Sequence, residues 1–298
     1  MDTTDLLKKV RKIEIKTRGL SNQIFSGEYH SAFKGRGMAF SEVREYLPGD
    51  DIRSIDWNVT ARLNHPYVKI FEEERELNVM MLVDVSGSGN FGTNKQFKRE
   101  LITELCAVIS FSAIQNNDKI GLILFSDRIE KFIPPKKGRS HILRIIRELI
   151  NFQPESKGTN IGAGLQYLSN AIKKRSIAFV VSDFFDKTIG ENKKSFFEDA
   201  LKIASRKHDL VALKIADKRE SQLPDMGLVH FKDAETGKEM WIDTSDTNVR
   251  KNYYNQNMIR DIQLNNIFSR CGVDKVELFT GQNYIQPLMK LFKKREKR

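Results

Sequence analysis

From Leu77 to the end of the chain, short apolar runs alternate with longer stretches of helical periodicity, and few folds accommodate that alternation. Leu77–Val85 (LNVMMLVDV) is nearly continuous in apolar residues, as expected of a strand covered on both faces. Asn94–Gln115 has helical spacing, with Phe97, Leu101, Leu105, Val108 and Phe111 on one stripe. Lys119–Phe125 (KIGLILF) predicts the next strand, and Ile129–Ile133 a short hairpin partner for it. Arg139–Asn151, Ile161–Lys173 and Lys194–Ser205 predict helices; Ser176–Ser182 and Asp209–Ile215 predict buried strands. Met226–Phe231 and Glu239–Ile242 read as a hairpin across the polar turn Asp233–Lys238. A long helix over Asn248–Arg270, with Gly272 as its C′ residue, precedes a last strand (Val273–Phe279) and a last helix (Ile285–Phe292). Strands that alternate with helices build βαβ units. The expected fold is therefore α/β: a doubly wound, mainly parallel sheet with helices on both faces, Rossmann-like in plan, over residues 77–292.

Residues 1–76 read differently. Thr3–Glu14 has a helical pattern with Thr3 or Thr4 as N-cap, and β-like stretches occur at Ala39–Tyr46 and Tyr67–Glu73. Gly, Asp, Arg and Glu dominate between them, with too little apolar mass for an independent core. This segment is expected to be an N-terminal α+β arm packed on the core. Arg36, Arg44 and Arg53 are expected to pair with Glu42, Glu45, Asp50, Asp51 and Asp56, and Trp57 to anchor the arm. Gly35-Arg36-Gly37 suits an anion grip or a plain sharp turn, and the arm also suits part of a partner surface; the sequence leaves these readings open.

Charge and composition narrow the function classes. Of the net charge of +11, residues 1–20 carry +3 and residues 290–298 carry +5, which leaves +3 for the other 269. Residues 293–298 are expected to be a solvated basic tail. No aromatics interleave with its bases, so nucleic acid is not an expected partner. Apolar runs such as Val79–Val83 and Leu105–Ile109 fall far short of the ~18 residues of a membrane span. The first residues place acids before bases and lack an apolar segment, unlike a signal peptide. Cys106 and Cys271 lie far apart inside apolar patterns, which argues for packing in a reducing compartment. A cytoplasmic protein is the expectation.

Three pieces carry chemistry. Asp84-Val85-Ser86-Gly87-Ser88 is D-x-S-x-S at the carboxyl end of the first buried strand, where ligands bind in doubly wound sheets. Thr159 sits in the Gly-rich turn Gly158–Gly164, which opens a helix. Asp183 ends the strand Ser176–Ser182. Each alone is an ordinary turn or helix cap. Together they put Asp84, Ser86, Ser88, Thr159 and Asp183 on three loops at one edge of one sheet. Carboxylate and hydroxyl oxygens are hard ligands, suited to Mg²⁺ first and to Mn²⁺ or Ca²⁺ as alternatives.

These five residues resemble the metal-ion-dependent adhesion site of the von Willebrand factor A fold. The resemblance implies Ser86, Ser88 and Thr159 as direct ligands, and Asp84 and Asp183 as direct or water-bridged ones. The run Gly35–Trp57 (GRGMAFSEVREYLPGDDIRSIDW) is similar to the signature of the bacterial domain-of-unknown-function family fifty-eight, whose members carry a von Willebrand A-like domain and are typically encoded beside MoxR-type AAA+ ATPases. It implies a metal-dependent adaptor or co-chaperone, not an enzyme, which binds a carboxylate of a protein partner: a MoxR-type ATPase or its client.

Enzyme readings fit less well. A haloacid-dehalogenase-like phosphatase needs a second carboxylate where Ser86 stands, G-x-S-x-G fails at Ser86, and Ser86–Gly89 lacks the ending of a phosphate-binding loop. The histidines His30, His65, His141, His208 and His230 are scattered. A Mg²⁺-dependent hydrolase on the same fold is the alternative expectation.

Overall fold

The structure, a computed structural model, describes residues 11, 13–14, 38–73, 76–90, 97–185, 196–232, 237 and 239–296. The expected turn at Gly35–Gly37, nearly all of Asp233–Lys238 and most of the expected helix Thr3–Glu14 lie outside these residues; Arg11, Ile13 and Glu14 are helical. The described residues form two compact units, one within 34–77 and the other taking in the rest.

In the smaller unit, β1 (Met38–Glu45) pairs antiparallel with β2 (Tyr67–Glu73), with a register shift between Phe40 and Glu42. Helix α1 (Trp57–Leu63), which the sequence pattern does not announce, is set by its caps. The Asp56 carboxylate accepts the Asn58 and Val59 amides, and Asn64 closes the helix in the left-handed region at φ +56°. Of the expected ion network, Arg44 pairs with Asp50 through two hydrogen bonds of 2.8 and 2.7 Å. Asp51 instead caps the turn Ile52–Ser54. Trp57, the first residue of α1, is 67% exposed.

The larger unit holds β3 (Asn78–Asp84), β4 (Lys119–Phe125), β5 (Ile129–Lys136), β6 (Ile177–Ser182), β7 (Asp209–Ala216), the hairpin β8 (Leu228–Lys232) and β9 (Glu239–Asp243), and β10 (Asp274–Phe279). Its sheet runs in the order β10-β7-β6-β3-β4-β5, with only the β4–β5 pair antiparallel. This is the doubly wound, mainly parallel α/β sheet expected. Strand β3 is central: the chain leaves it toward β4 on one side and β6 on the other, so a crevice opens beyond its carboxyl end.

The helices are α2 (Lys98–Gln115), α3 (Arg139–Asn151), α4 (Ile161–Ala171), α5 (Phe196–Lys207), α6 (Lys218–Ser221), α7 (Thr247–Cys271) and α8 (Ile285–Glu296). Alternation along the strands sends Met80, Leu82, Phe125, Ala178 and Val180 into one cluster with Leu165 of α4, Leu201 of α5 and Leu264 and Phe268 of α7. On the opposite face α2 lies over Met81, with Ser110 Oγ 3.8 Å from its sulfur, and His141 of α3 sits 2.9 Å from the Ile120 carbonyl. Each fully buried aliphatic side chain contributes about 1.5–3 kcal/mol. Gly121 is forced by the packing: a Cβ there would lie 2.7 Å from Met80 Sδ and 2.9 Å from the Ile133 carbonyl.

Two expectations change. Phe97, placed on the buried stripe, is 54% exposed. The last helix does not stop at Phe292 but runs through Glu296, and Arg295 pairs with Asp209 and Asp274, so four of the six residues expected as a solvated tail are structured. Among the described residues no helix is long and apolar enough to cross a membrane.

Candidate metal centre

The site begins with how β3 ends. Asp84 is the last residue of a strand buried on both faces, so its carboxylate is 6% exposed and must find donors. The chain turns sharply at Val85, and the Ser86 amide donates to Asp84 Oδ1 at 2.9 Å. From the neighbouring strand, Ser182 Oγ donates to Asp84 Oδ2 at 2.6 Å. The short turn Gly87–Asn90 then brings the Ser86 and Ser88 hydroxyls within 3.0 Å of each other.

The second loop is held against the first. The Gly87 amide donates to the Lys157 carbonyl at 3.1 Å, and the Asn160 amide to the Ser126 carbonyl at 2.9 Å. Thr159 lies between these two tethers. Asn160 caps α4 by accepting the Ala163 amide, which starts the helix immediately after Thr159. Glu130 secures the same loop from below: its carboxylate accepts Ser126 Oγ at 2.6 Å and the amides of Ser156 and Glu155 at 3.2 Å each.

The third loop follows β6. Asp183 comes directly after Ser182, and its Oδ1 accepts the Phe185 amide at 3.1 Å. Phe184, between them, takes a left-handed backbone (φ +58°), costly for an aromatic residue. Its amide donates to Ser182 Oγ, and its ring packs edge-on against Phe268 at 5.2 Å. Asp183 lies close enough to Asp84 at the end of β3 for its charge to act there.

The electrostatics follow from that closeness. Burial, and then the charge of Asp183, push the Asp84 carboxyl up to about 7. Asp183 meets a group the sequence reading overlooked: Lys98 Nζ lies 3.2 Å from Asp183 Oδ2 and also pairs with Glu220 of α6. Lys98 is 1% exposed. Burial opposes its charge, but Asp183 and Glu220 outweigh burial and hold the ammonium above the usual lysine value. A signal for Lys98 was present: it shares a stripe with Leu101, Leu105 and Val108 once the helix is phased on buried residues instead of on Phe97.

Asp84, Ser86, Ser88 and Asp183 thus meet at one place, with the Thr159 loop tied to it. Among the described residues no group of three or more His, Cys, Asp and Glu side chains is arranged to hold a metal, so a cation here would depend on hydroxyls. Two acids with neutral hydroxyl oxygens fit a hard divalent cation better than a soft one. A narrow cavity of about 40 Å³ opens beside Asp84 and Ser86, lined by Ile102, Leu149, Phe152 and Arg99, whose guanidinium donates to carbonyls at the end of α3. The described histidines of the larger unit lie elsewhere: His141 on the Ile120 carbonyl, His208 at the end of α5, and the exposed His230 against Trp241.

Residues 42–261 match the family model described as "Protein of unknown function DUF58". The uncharacterized protein Rv1480 of Mycobacterium tuberculosis is 26% identical over all of this chain and 92% of its own length. Among solved structures, the conserved hypothetical protein BatB from Bacteroides thetaiotaomicron superposes with a TM-score of 0.48 at 16% identity, covering 74% of this chain and 100% of its own. Proximal thread matrix protein 1 from the mussel byssus, solved with a zinc-occupied metal-ion-dependent adhesion motif, gives a TM-score of 0.36 at 17% identity, over 47% of this chain and 38% of its own. That zinc belongs to the mussel protein.

Proposed function

The chain belongs to the DUF58 family, and on that premise, with the geometry at the end of β3, we propose that it is a divalent-metal-dependent protein-binding module and not an enzyme. The observation that carries this reading is Asp84. It is a buried carboxylate held by the Ser86 amide and the Ser182 hydroxyl, with the Ser86 and Ser88 hydroxyls converging beside it. Ser86, Ser88 and Thr159 would offer neutral oxygens, Asp84 the principal negative one, and Asp183 a charge in the next shell. A bound Mg²⁺ or similar cation supplies an acceptor for an incoming carboxylate. Because the hydroxyls leave its charge largely uncompensated, an Asp or Glu of a partner protein completes the set.

The partner class follows from the family resemblance: a MoxR-type AAA+ ATPase or its client, with this chain as adaptor or co-chaperone. The reading predicts that Mg²⁺ or Mn²⁺ raises the melting temperature, that Asp84→Ala removes the rise, and that a pulled-down partner is lost in EDTA. A partner that survives both EDTA and Asp84→Ala overturns it. Metal-dependent turnover of a phosphoester panel would replace it with the hydrolase reading.

A further inference from the structure

Lys98 is the most buried charge in the described residues near this site, and its surroundings are built for it. A lysine at 1% exposure requires paired acids. Two are present on separate elements: Asp183 after β6, and Glu220 in α6. Neither is a loose surface group. Asp183 is held by the Phe185 amide, which donates to its Oδ1 at 3.1 Å. Glu220 is fixed by a capping box, in which its Oε2 accepts the Asp217 amide at 3.1 Å. Asp217 is in turn held by Thr280 Oγ1 at 2.6 Å, and the Glu220 carbonyl accepts Tyr253 Oη and Asn257 Nδ2. The ammonium is clamped from two sides.

This has a consequence for any cation bound by Asp84. Asp183 already has a positive charge at hydrogen-bond distance on Oδ2 and an amide on Oδ1. It has little to gain from a metal bond, and the ammonium would repel an ion drawn close to it. With Asp84 ionised, as a bound cation requires, Asp84, Asp183 and Glu220 with Lys98 carry a formal charge of −2, which one divalent cation neutralises; without Lys98 the pocket would be −3 and would hold the ion harder.

Resting on the metal-site reading above, we propose that Lys98 is an internal counter-cation that keeps Asp183 out of direct coordination and so sets how weakly this site holds a divalent ion before a partner's carboxylate arrives. Metal and carboxylate then bind cooperatively, since each supplies what the other lacks. Lys98 is an affinity-determining residue of the site, not merely a buried ion pair of the core.

The test is Mn²⁺ binding, measured by calorimetry at fixed pH and ionic strength, on the full chain. Lys98→Gln keeps a polar amide donor in the shorter side chain and removes the charge. It is expected to bind Mn²⁺ about tenfold more tightly than wild type. Lys98→Arg, which keeps the charge, is expected to stay within about threefold of wild type. Equal or weaker binding by Lys98→Gln overturns the proposal. Asp84→Ala separates the two layers. If it abolishes binding while Lys98→Gln gains nothing, only the role of Lys98 falls; if it leaves binding intact, the metal-site reading falls and takes this one with it. Should Lys98→Gln fail to fold, a wild-type crystal structure with Mn²⁺ decides. Lys98 Nζ on an Asp183 that makes no bond to the ion upholds the proposal; Asp183 bound directly to Mn²⁺ overturns it.

Discussion

Asp84→Asn in metal-free protein is the sharpest probe of the site. The substitution keeps the shape: Asn Oδ1 can still accept the Ser86 amide, and its Nδ2 faces the Ser182 hydroxyl. What it removes is a charge held without solvent. Burial first, and then Asp183, raise the Asp84 carboxyl from 3.8 to about 7. At about 1.4 kcal/mol per tenfold change in proton affinity, ionising it in the folded protein costs about 4 kcal/mol. Between about pH 4 and pH 7 the folded chain keeps a proton that the unfolded chain has released. Wild-type stability in EDTA should therefore fall as pH rises through that window and level off above it. Asp84→Asn should lack this component. Urea unfolding in EDTA near pH 4 should give the two proteins similar stability, whereas at pH 8 the variant should be about 4 kcal/mol more stable. Saturating Mg²⁺ at pH 8 should reverse the order, because only wild type gains a ligand in the folded state. A variant less stable than wild type in EDTA at pH 8, or a difference that does not change from pH 4 to pH 8, refutes the reasoning.

Two further outcomes are expected. Glu130→Ala strips the Thr159 loop of the acceptor for the Glu155 and Ser156 amides; it should lower stability by about 1–2 kcal/mol and weaken Mn²⁺ binding in calorimetry, with Glu130→Gln intermediate. Deleting residues 293–298 leaves Asp274, 9% exposed, without Arg295; thermal unfolding should show a loss of about 2 kcal/mol or more, where a merely solvated tail would show none.

Local pattern determined most of the architecture. Lys119–Phe125 and Arg139–Asn151 have the bounds that their apolar spacing predicts, because a strand buried on both faces and an amphipathic helix each leave a mark within a few residues. Gly272 closes α7 at φ +66° for an equally local reason. The D-x-S-x-S run at the end of a buried strand named the place where Asp84 stands, since topology sends the carboxyl ends of β3 and β6 to one crevice. What escaped either left no periodic mark or depended on partners distant in the chain. Helix α1 follows from caps at Asp56 and Asn64, not from periodicity. Arg295 is ordered by Asp209 and Asp274, which no count of tail charges reveals. Lys98 reads as one more base at the start of a helix until the fold sets it between Asp183 and Glu220, 85 and 122 residues away. A charge can be buried only where tertiary structure supplies its counter-charge, so the elements were legible from the chain while the electrostatics of the site belonged to the fold.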